Sequence, residues 1–341
     1  MERPAPTAFP TPPAPPTSRR IAMITTAIVF ALMATACAIG TSGAAEEPGG
    51  DATTAGSELV SASLRAPDGR LRTYHVHVPT AAGDEPLPLL IALHGGTGWG
   101  LQFRDASGFD ELAESEGFIV AYPDGTQILR RRESRVWNGG ACCGLASDTR
   151  RGVDDVGFIS MMIDEIAADH RVDTGRIYAT GHSNGAIMAY RLACELSDRI
   201  VAVGFQAGSL EIDGCQPDEP VAAMAIHGTD DTNLPIDGGP GSGISGHDFF
   251  SPRLSIERLA EVNGCTTDDT AVDPVDADVT RRTWAGCADD LTVQFVEVAG
   301  ASHAWMGRPT TVLQWLLSGR PYRDLDAAAT VWDFVSQFER D

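Results

Sequence analysis

A serine hydroxyl becomes an effective nucleophile at neutral pH only when a base takes its proton and a third group orients that base. Residues 178–185 read Tyr-Ala-Thr-Gly-His-Ser-Asn-Gly, which sets Ser183 in a G-x-S-x-G pentapeptide between an apolar run and a helical pattern. Such a serine sits on a sharp turn whose strained backbone the flanking glycines permit. This strand-turn-helix context goes with partners that follow the serine in the order acid, then histidine. Of the eight histidines, His75, His77, His94, His170 and His182 precede Ser183, and His227 precedes Asp230 and Asp231. His247 lies in a Gly/Ser-rich loop with no strand to position it, whereas His303 follows a strand pattern in Ala-Gly-Ala-Ser-His-Ala-Trp. His303 is therefore the candidate base. The acid belongs to the turn after Ala223-Met-Ala-Ile-His227, where spacing alone leaves Asp230 and Asp231 as alternatives. His227 reads as a structural residue ending that strand. A tetrahedral oxyanion needs two backbone donors, and His94-Gly-Gly-Thr-Gly98 can present one from Gly96, with Thr97 the nearest alternative. The amide of Asn184, just after the serine, is the other.

The elements that must carry these residues alternate along the chain. Residues 60–64 and 71–78 alternate apolar and polar side chains around Pro67-Asp68-Gly69, the pattern of an antiparallel hairpin. Residues 87–93 (LPLLIAL) and 118–122 are apolar runs suited to strands buried on both faces. Ile159, Met162, Ile163 and Ile166 fall at helical spacing and predict a helix over 155–170. Strands are expected at 176–180, 200–205, 221–226, 279–284 and 291–298, and helices at 184–196, 254–262 and 327–338. Alternation of this kind predicts an α/β fold, a mainly parallel sheet with helices on both faces, in one domain over residues 57–341. Adjacent Asp154 and Asp155 at a helix start read as a cap and a dipole partner, not a metal pair. No His/Cys group has zinc spacing, and the chemistry requires no metal or cofactor.

His94-Gly-Gly, Tyr122-Pro-Asp-Gly-Thr, Val136-Trp-Asn-Gly-Gly-Ala-Cys-Cys-Gly, Val153-Asp-Asp-Val-Gly-Phe, Gly181-His-Ser-Asn-Gly, His227-Gly-Thr and Asn263-Gly-Cys together resemble the secreted polyhydroxybutyrate depolymerase family, related to feruloyl and acetyl xylan esterases. The likeness covers nearly all of 57–341. It implies the α/β-hydrolase fold and selects Asp231 as the acid, the fourth residue after the histidine of His-Gly-Thr. It also implies a bridge between Cys265 and Cys287. The family's histidine is usually followed by Thr-Trp-Pro, where this chain has Ala304-Trp305-Met306, so the pocket rim differs. Trp137 and Trp305 are candidates for an apolar wall against an acyl or aromatic group.

Composition narrows the partners and the compartment. The 341 residues carry a formal net charge of −22, and every basic residue is Arg. Such a surface repels polyanions, which disfavours nucleic acid and suits neutral esters, small or polymeric. Residues 1–36 combine a Pro-rich start, Arg19-Arg20 and an apolar run over 21–36, and read as an export signal. Ala34-Thr-Ala-Cys37 resembles a lipobox, making Cys37 a lipid attachment point on the membrane, with simple cleavage before it as the alternative. Residues 38–56 are small and polar, as in a tether behind an anchor. That assignment leaves six of the seven cysteines for bridges outside the cytosol. Since adjacent cysteines rarely bond each other, Cys142 and Cys143 are expected to pair with Cys194 and Cys215. The expected function is a secreted or envelope-anchored serine esterase; the alternatives are a non-catalytic binding protein on a hydrolase scaffold and a serine peptidase.

Overall fold

The computed structural model describes residues 58–80, 83, 85–128, 134–142, 152–243, 246–266 and 271–340. The export segment, the tether, Cys37 and Cys143 lie outside the described residues. Ten strands form one sheet: β1 (Glu58–Arg65), β2 (Leu71–Val78), β3 (Leu87–Leu93), β4 (Ile119–Pro123), β5 (Val172–His182), β6 (Ala202–Gln206), β7 (Ala222–Gly228), β8 (Ala271–Asp276), β9 (Val279–Trp284) and β10 (Val293–Val298). Their spatial order is β1-β2-β4-β3-β5-β6-β7-β10-β9-β8. The six strands from β4 to β10 run parallel, and the outer strands on either side pair antiparallel. The site-bearing strands β5, β7 and β10 therefore end along one edge of the sheet, where ligands bind in open parallel folds.

The helices are α1 (Gly100–Ser107), α2 (Phe109–Glu116), α3 (Asp155–Asp169), α4 (Asn184–Glu195), α5 (Pro252–Val262), α6 (Val312–Ser318) and α7 (Ala327–Val335). Each central strand is apolar on both faces because helices cover both. Leu89, Ile91 and Leu93 of β3 join a core with Phe158, Met162 and Ile166 of α3, Met188 and Leu192 of α4, and Leu259 of α5. The alternate residues Leu90 and Ala92 join a second core with Phe103 of α1, Phe109 of α2, and Val331 and Phe334 of α7. Burial of each such side chain stabilises the fold by about 1.5–3 kcal/mol. Four elements were not legible in the sequence. Helices α1 and α2 follow one another across Gly108, which at φ 87° takes the left-handed turn between them. Strand β8, with Pro274 inside it, is tolerated because it lies on the sheet edge. Helix α6 carries little apolar periodicity and is defined by a capping box between Thr311 and Gln314.

The aspartate pair at 154 and 155 divides its work. Asp154 caps α3 by accepting the Gly157 amide at 2.8 Å. Asp155 is fully buried, pairs with Arg72 at 2.7 Å and accepts the Asn138 amide at 2.7 Å. The Arg72 guanidinium also stacks 4.2 Å from the Phe158 ring centroid.

The expected pairing of Cys142 and Cys143 with Cys194 and Cys215 is corrected: Cys194 bonds Cys215. The physical reason is topological. Helix α4 ends at Glu195, the chain passes through β6, and the segment after it returns beside the helix end, where both sulfurs are buried. Cys265 bonds Cys287 and ties the end of α5 to the segment after β9. Each bridge closes a loop long enough to contribute about 3 kcal/mol. Cys142 is also disulfide-bonded and packs in a small apolar cluster with Ile187, Leu234 and Phe249. Contact with the serine-bearing helix is thus apolar through Ile187, not covalent through Cys194.

Removing one member of a buried ion pair leaves an uncompensated charge, so Asp155→Ala is expected to lower unfolding free energy by about 3–5 kcal/mol. Arg258→Ala, which removes an exposed pair with Glu261, should cost less than about 1 kcal/mol. Urea unfolding of both variants checks the contrast.

Candidate active site

Ser183 occupies the single residue between β5 and α4, with φ 55° and ψ −121°. Positive φ is costly for a side chain with a Cβ, and the surroundings over-determine it. A Cβ on Gly181 would lie 2.4 Å from the Gly185 carbonyl carbon, and one on Gly185 would lie 2.2 Å from the Leu93 oxygen. Both glycines are required so that strand, turn and helix can pack this closely beside β3. The Ser183 amide donates to the Gln206 carbonyl at 3.1 Å, which anchors the turn to β6.

The structure brings Ser183, Asp231 and His303 together from three separate loops. Ser183 Oγ lies 2.8 Å from His303 Nε2, and His303 Nδ1 lies 2.7 Å from Asp231 Oδ2. The other Asp231 oxygen, Oδ1, accepts the amides of Asn233 and Leu234, each at 2.9 Å. Burial works to raise the Asp231 pKa. The charge and hydrogen bond of His303, the nearby His227 and the Leu234 amide outweigh it, so the carboxyl stays below its ordinary range. Asp230 is exposed and makes neither contact. Its amide instead donates to Ala301 oxygen at 3.0 Å and joins the acid turn to the His303 loop. His247 lies elsewhere, 2.9 Å from the buried carboxylate of Glu211. His227 Nε2 is 2.9 Å from the Leu234 carbonyl and holds the acid turn in shape.

Gly96 is solvent-exposed, and a Cβ on it would stand 3.5 Å from Asn184 Cβ, so the glycine loop lies against the start of α4. The Thr97 amide is engaged with the Arg135 carbonyl at 2.8 Å, which removes Thr97 as an oxyanion donor. His94 is buried beneath this loop. It donates from Nδ1 to the Gly95 carbonyl at 2.8 Å and accepts the Gly125 amide on Nε2 at 2.9 Å. Burial holds its pKa well below the ordinary histidine value. An imidazole used in both directions in this way must be neutral.

The two tryptophans do not form the expected wall. Trp137 is 0% exposed; its indole donates to the His94 carbonyl at 2.9 Å. The Asn184 side chain brackets its backbone by accepting the Trp137 amide at 2.7 Å and donating to its carbonyl at 3.2 Å. Trp305 is 9% exposed, donates to the Ser107 carbonyl at 3.1 Å and packs edge-on against Phe103 and His182. Both support the loops from below because their indole N–H groups find carbonyl partners inside.

Several supporting residues escaped sequence reasoning. His182 Nε2 donates to the His303 carbonyl at 2.7 Å, and burial together with the His303 charge pushes its pKa down to about 4. Gln206 grips the same loop from the other side, donating to Ala304 oxygen at 2.8 Å and accepting the Met306 amide at 3.0 Å. The one sequence signal for Gln206 was a polar residue closing an otherwise apolar strand. A cavity of about 410 Å³ opens beside His303, lined by Asp230, Thr232, Asn233 and Ser242 on one side and Trp315, Leu316 and Leu317 of α6 on the other. The described residues hold no group of three or more His, Cys, Asp or Glu side chains fit to bind a metal ion.

Residues 72–229 match the family model described as Esterase PHB depolymerase. The chain is 30% identical over 311 residues to the putative esterase NocK of Nocardia uniformis subsp. tsuyamanensis, covering 84% of each. It is 31% identical over 229 residues to feruloyl esterase B of Piromyces equi, covering 65% of this chain and 40% of that protein. Among solved structures, the acetyl xylan esterase from Aspergillus awamori aligns with a TM-score of 0.54 at 18% identity, over 72% of this chain and 94% of that one. That last likeness bears on the fold alone. With a hydroxyl, an imidazole and a carboxylate joined on that fold and a relative matched over most of both chains, the protein belongs to the Esterase PHB depolymerase family and is a carboxylic ester hydrolase of the α/β-hydrolase fold.

Proposed function

We propose that the protein is a serine esterase that works through an acyl-enzyme. The observation that carries this reading is the hydrogen-bonded series Ser183 Oγ, His303 and Asp231, with separations of 2.8 and 2.7 Å. His303 Nε2 takes the Ser183 proton as Oγ bonds the ester carbonyl carbon. Asp231, itself held ionised, keeps Nδ1 protonated and stabilises the imidazolium. The amides of Gly96 and Asn184 receive the oxyanion at the mouth of the glycine loop. Collapse of the tetrahedral adduct breaks the bond to the alcohol oxygen, which leaves with the proton from Nε2. Water then enters and gives a proton to His303 Nε2 as its oxygen bonds the acyl carbon; collapse of this second adduct breaks the bond to Oγ, releases the acid and passes the water-derived proton from Nε2 to Ser183.

Polyester, feruloyl and acetyl esters are the substrate classes this reading admits, in keeping with the names of the relatives. The net charge of −22 favours neutral esters over anionic ones. We also assign the protein to the cell exterior or envelope, on the export-like residues 1–36, the lipobox-like Cys37 and the disulfides among the described residues. A pure binding protein has no use for a strained serine facing an imidazole, and a peptidase is separated from an esterase by substrate alone.

Ser183→Ala should leave a folded protein whose turnover of p-nitrophenyl acetate falls by about 10⁴-fold or more. It should also abolish labelling by a fluorophosphonate probe. Near-normal turnover or labelling in that variant overturns the assignment, and peptide hydrolysis outrunning ester hydrolysis favours the peptidase. Acid stability gives a separate check. His182, buried and neutral with a pKa of about 4, charges more readily in the unfolded chain, whose histidines titrate near about 6.5. Its contribution is therefore complete above about pH 6.5 and is lost as pH falls toward 4. The urea midpoint of the wild type should drop across that window, and His182→Gln should flatten the drop.

A further inference from the structure

Helix α6 presents Trp315, Leu316 and Leu317 with 40%, 73% and 46% of their surfaces exposed. Exposed apolar side chains grouped this way on an otherwise acidic molecule point to a recognition surface. Their placement is built from the catalytic loops themselves. Asn233, two residues after Asp231, donates its side-chain amide to the Leu317 carbonyl at 2.8 Å. Ser302, next to His303, donates its hydroxyl to the Arg320 carbonyl at 2.7 Å. Gly319, at φ 85°, lets the chain pass this close, since a Cβ there would stand 2.5 Å from Ser302 Cβ. The helix start is closed by the Thr311–Gln314 capping box, so both ends are held. Arg320 lies 5.0 Å from the centroid of the Trp315 ring.

The cavity between this helix and the acid turn, about 410 Å³, has His303 in its wall, but not Ser183, Gly96 or Asn184. It therefore adjoins the imidazole and not the oxyanion donors. In ester cleavage the group on the imidazole side is the alcohol, because its oxygen must receive the proton from Nε2. From this juxtaposition we infer that the cavity is a subsite for the leaving alcohol, with Trp315, Leu316 and Leu317 as its apolar floor. Thr232, Asn233 and Ser242 supply a neutral polar rim, and Asp230 disfavours an alcohol that bears negative charge. The occupant is an uncharged alcohol with a ring or chain large enough to cover Trp315. Trp315 is then a specificity-determining residue that selects among alcohols and is indifferent to the acyl group.

The inference rests on the esterase reading, and the experiment separates the two. Methyl, n-hexyl and benzyl acetates form the same acetyl-enzyme, so differences in kcat/KM among them report acylation and the alcohol alone. Wild type should prefer the benzyl and hexyl esters, and Trp315→Ala should reduce kcat/KM for these by about tenfold, chiefly through KM. Methyl acetate and methyl hexanoate should change less than about twofold. Leu316→Ser, at a more exposed position, should act in the same direction. The reverse reaction gives a second readout: with benzyl alcohol added, the wild-type acetyl-enzyme should yield more benzyl acetate relative to acetate than the Trp315→Ala variant does. Equal alcohol selectivity in wild type and variant, with fluorophosphonate labelling and methyl acetate hydrolysis intact, overturns the subsite while leaving the esterase standing. A selectivity change confined to the acyl series overturns it too, as does unchanged kinetics with a shift in oligomeric mass, which would make the apolar face a contact between copies. Loss of labelling and methyl ester turnover in the wild type removes both readings.

Discussion

Ser183 is held at φ 55°, a backbone angle that a residue with a Cβ adopts only under constraint, and most of the surrounding architecture serves that one turn. Residues 177–181 at the end of the strand before it and nearly all of the helix after it are buried, so neither end can relax. Gly181 lets helix α4 pack against β5, and Gly185 lets it approach β3, at distances that no other residue would fit. The Ser183 amide is tied to β6, and the neighbouring His182 is tied to the His303 loop. Strain in the turn is thus balanced by packing on both faces of the sheet, the condition under which a folded protein can keep it.

The same economy appears in the loops around the serine. Each residue that faces the reacting atoms is held by a neighbour that does not. Asp231 is oriented by two backbone amides, and the His303 loop is gripped by His182 and Gln206. The glycine loop rests on neutral His94, whose two ring nitrogens are both engaged. Three histidines, His94, His182 and His227, therefore perform purely positional tasks, since His227 likewise shapes the acid turn. Burial disfavours their charged forms, which keeps one imidazole nitrogen available as an acceptor or a single defined donor. Such scaffolding places the geometry under tighter control than the three reacting side chains alone would provide.

How much of this was legible depended on whether a feature is local. Strands 87–93 and 119–123 and helix 155–169 declare themselves because burial on one or two faces imposes a short repeat on neighbouring residues. Helices α1 and α2 carry weak patterns and are set by a left-handed glycine and by docking onto β3 and β4, so no repeat announced them. The cysteines show the limit most clearly. Cys194 and Cys215 are 21 residues apart and meet only because the chain returns beside α4 after β6. The wall expected from Trp137 failed for a similar reason: an indole suits a pocket and a core equally, and the carbonyl of His94, remote in sequence, claimed it.

From sequence alone came the alternation of strand and helix, the pentapeptide around Ser183, and the order in which an acid and a histidine had to follow, because each is written in contiguous residues. Sequence also supplied the acidic balance that bears on substrates, since net charge is independent of fold. Tertiary structure decided what depends on distance between remote segments: that Asp231 and not Asp230 faces His303, that Arg135 occupies the Thr97 amide, and that both indoles point inward. It also decided that α6 stands over a cavity beside His303. Those outcomes arise from hydrogen bonds and contacts between residues tens to more than a hundred positions apart, and no local pattern encodes them.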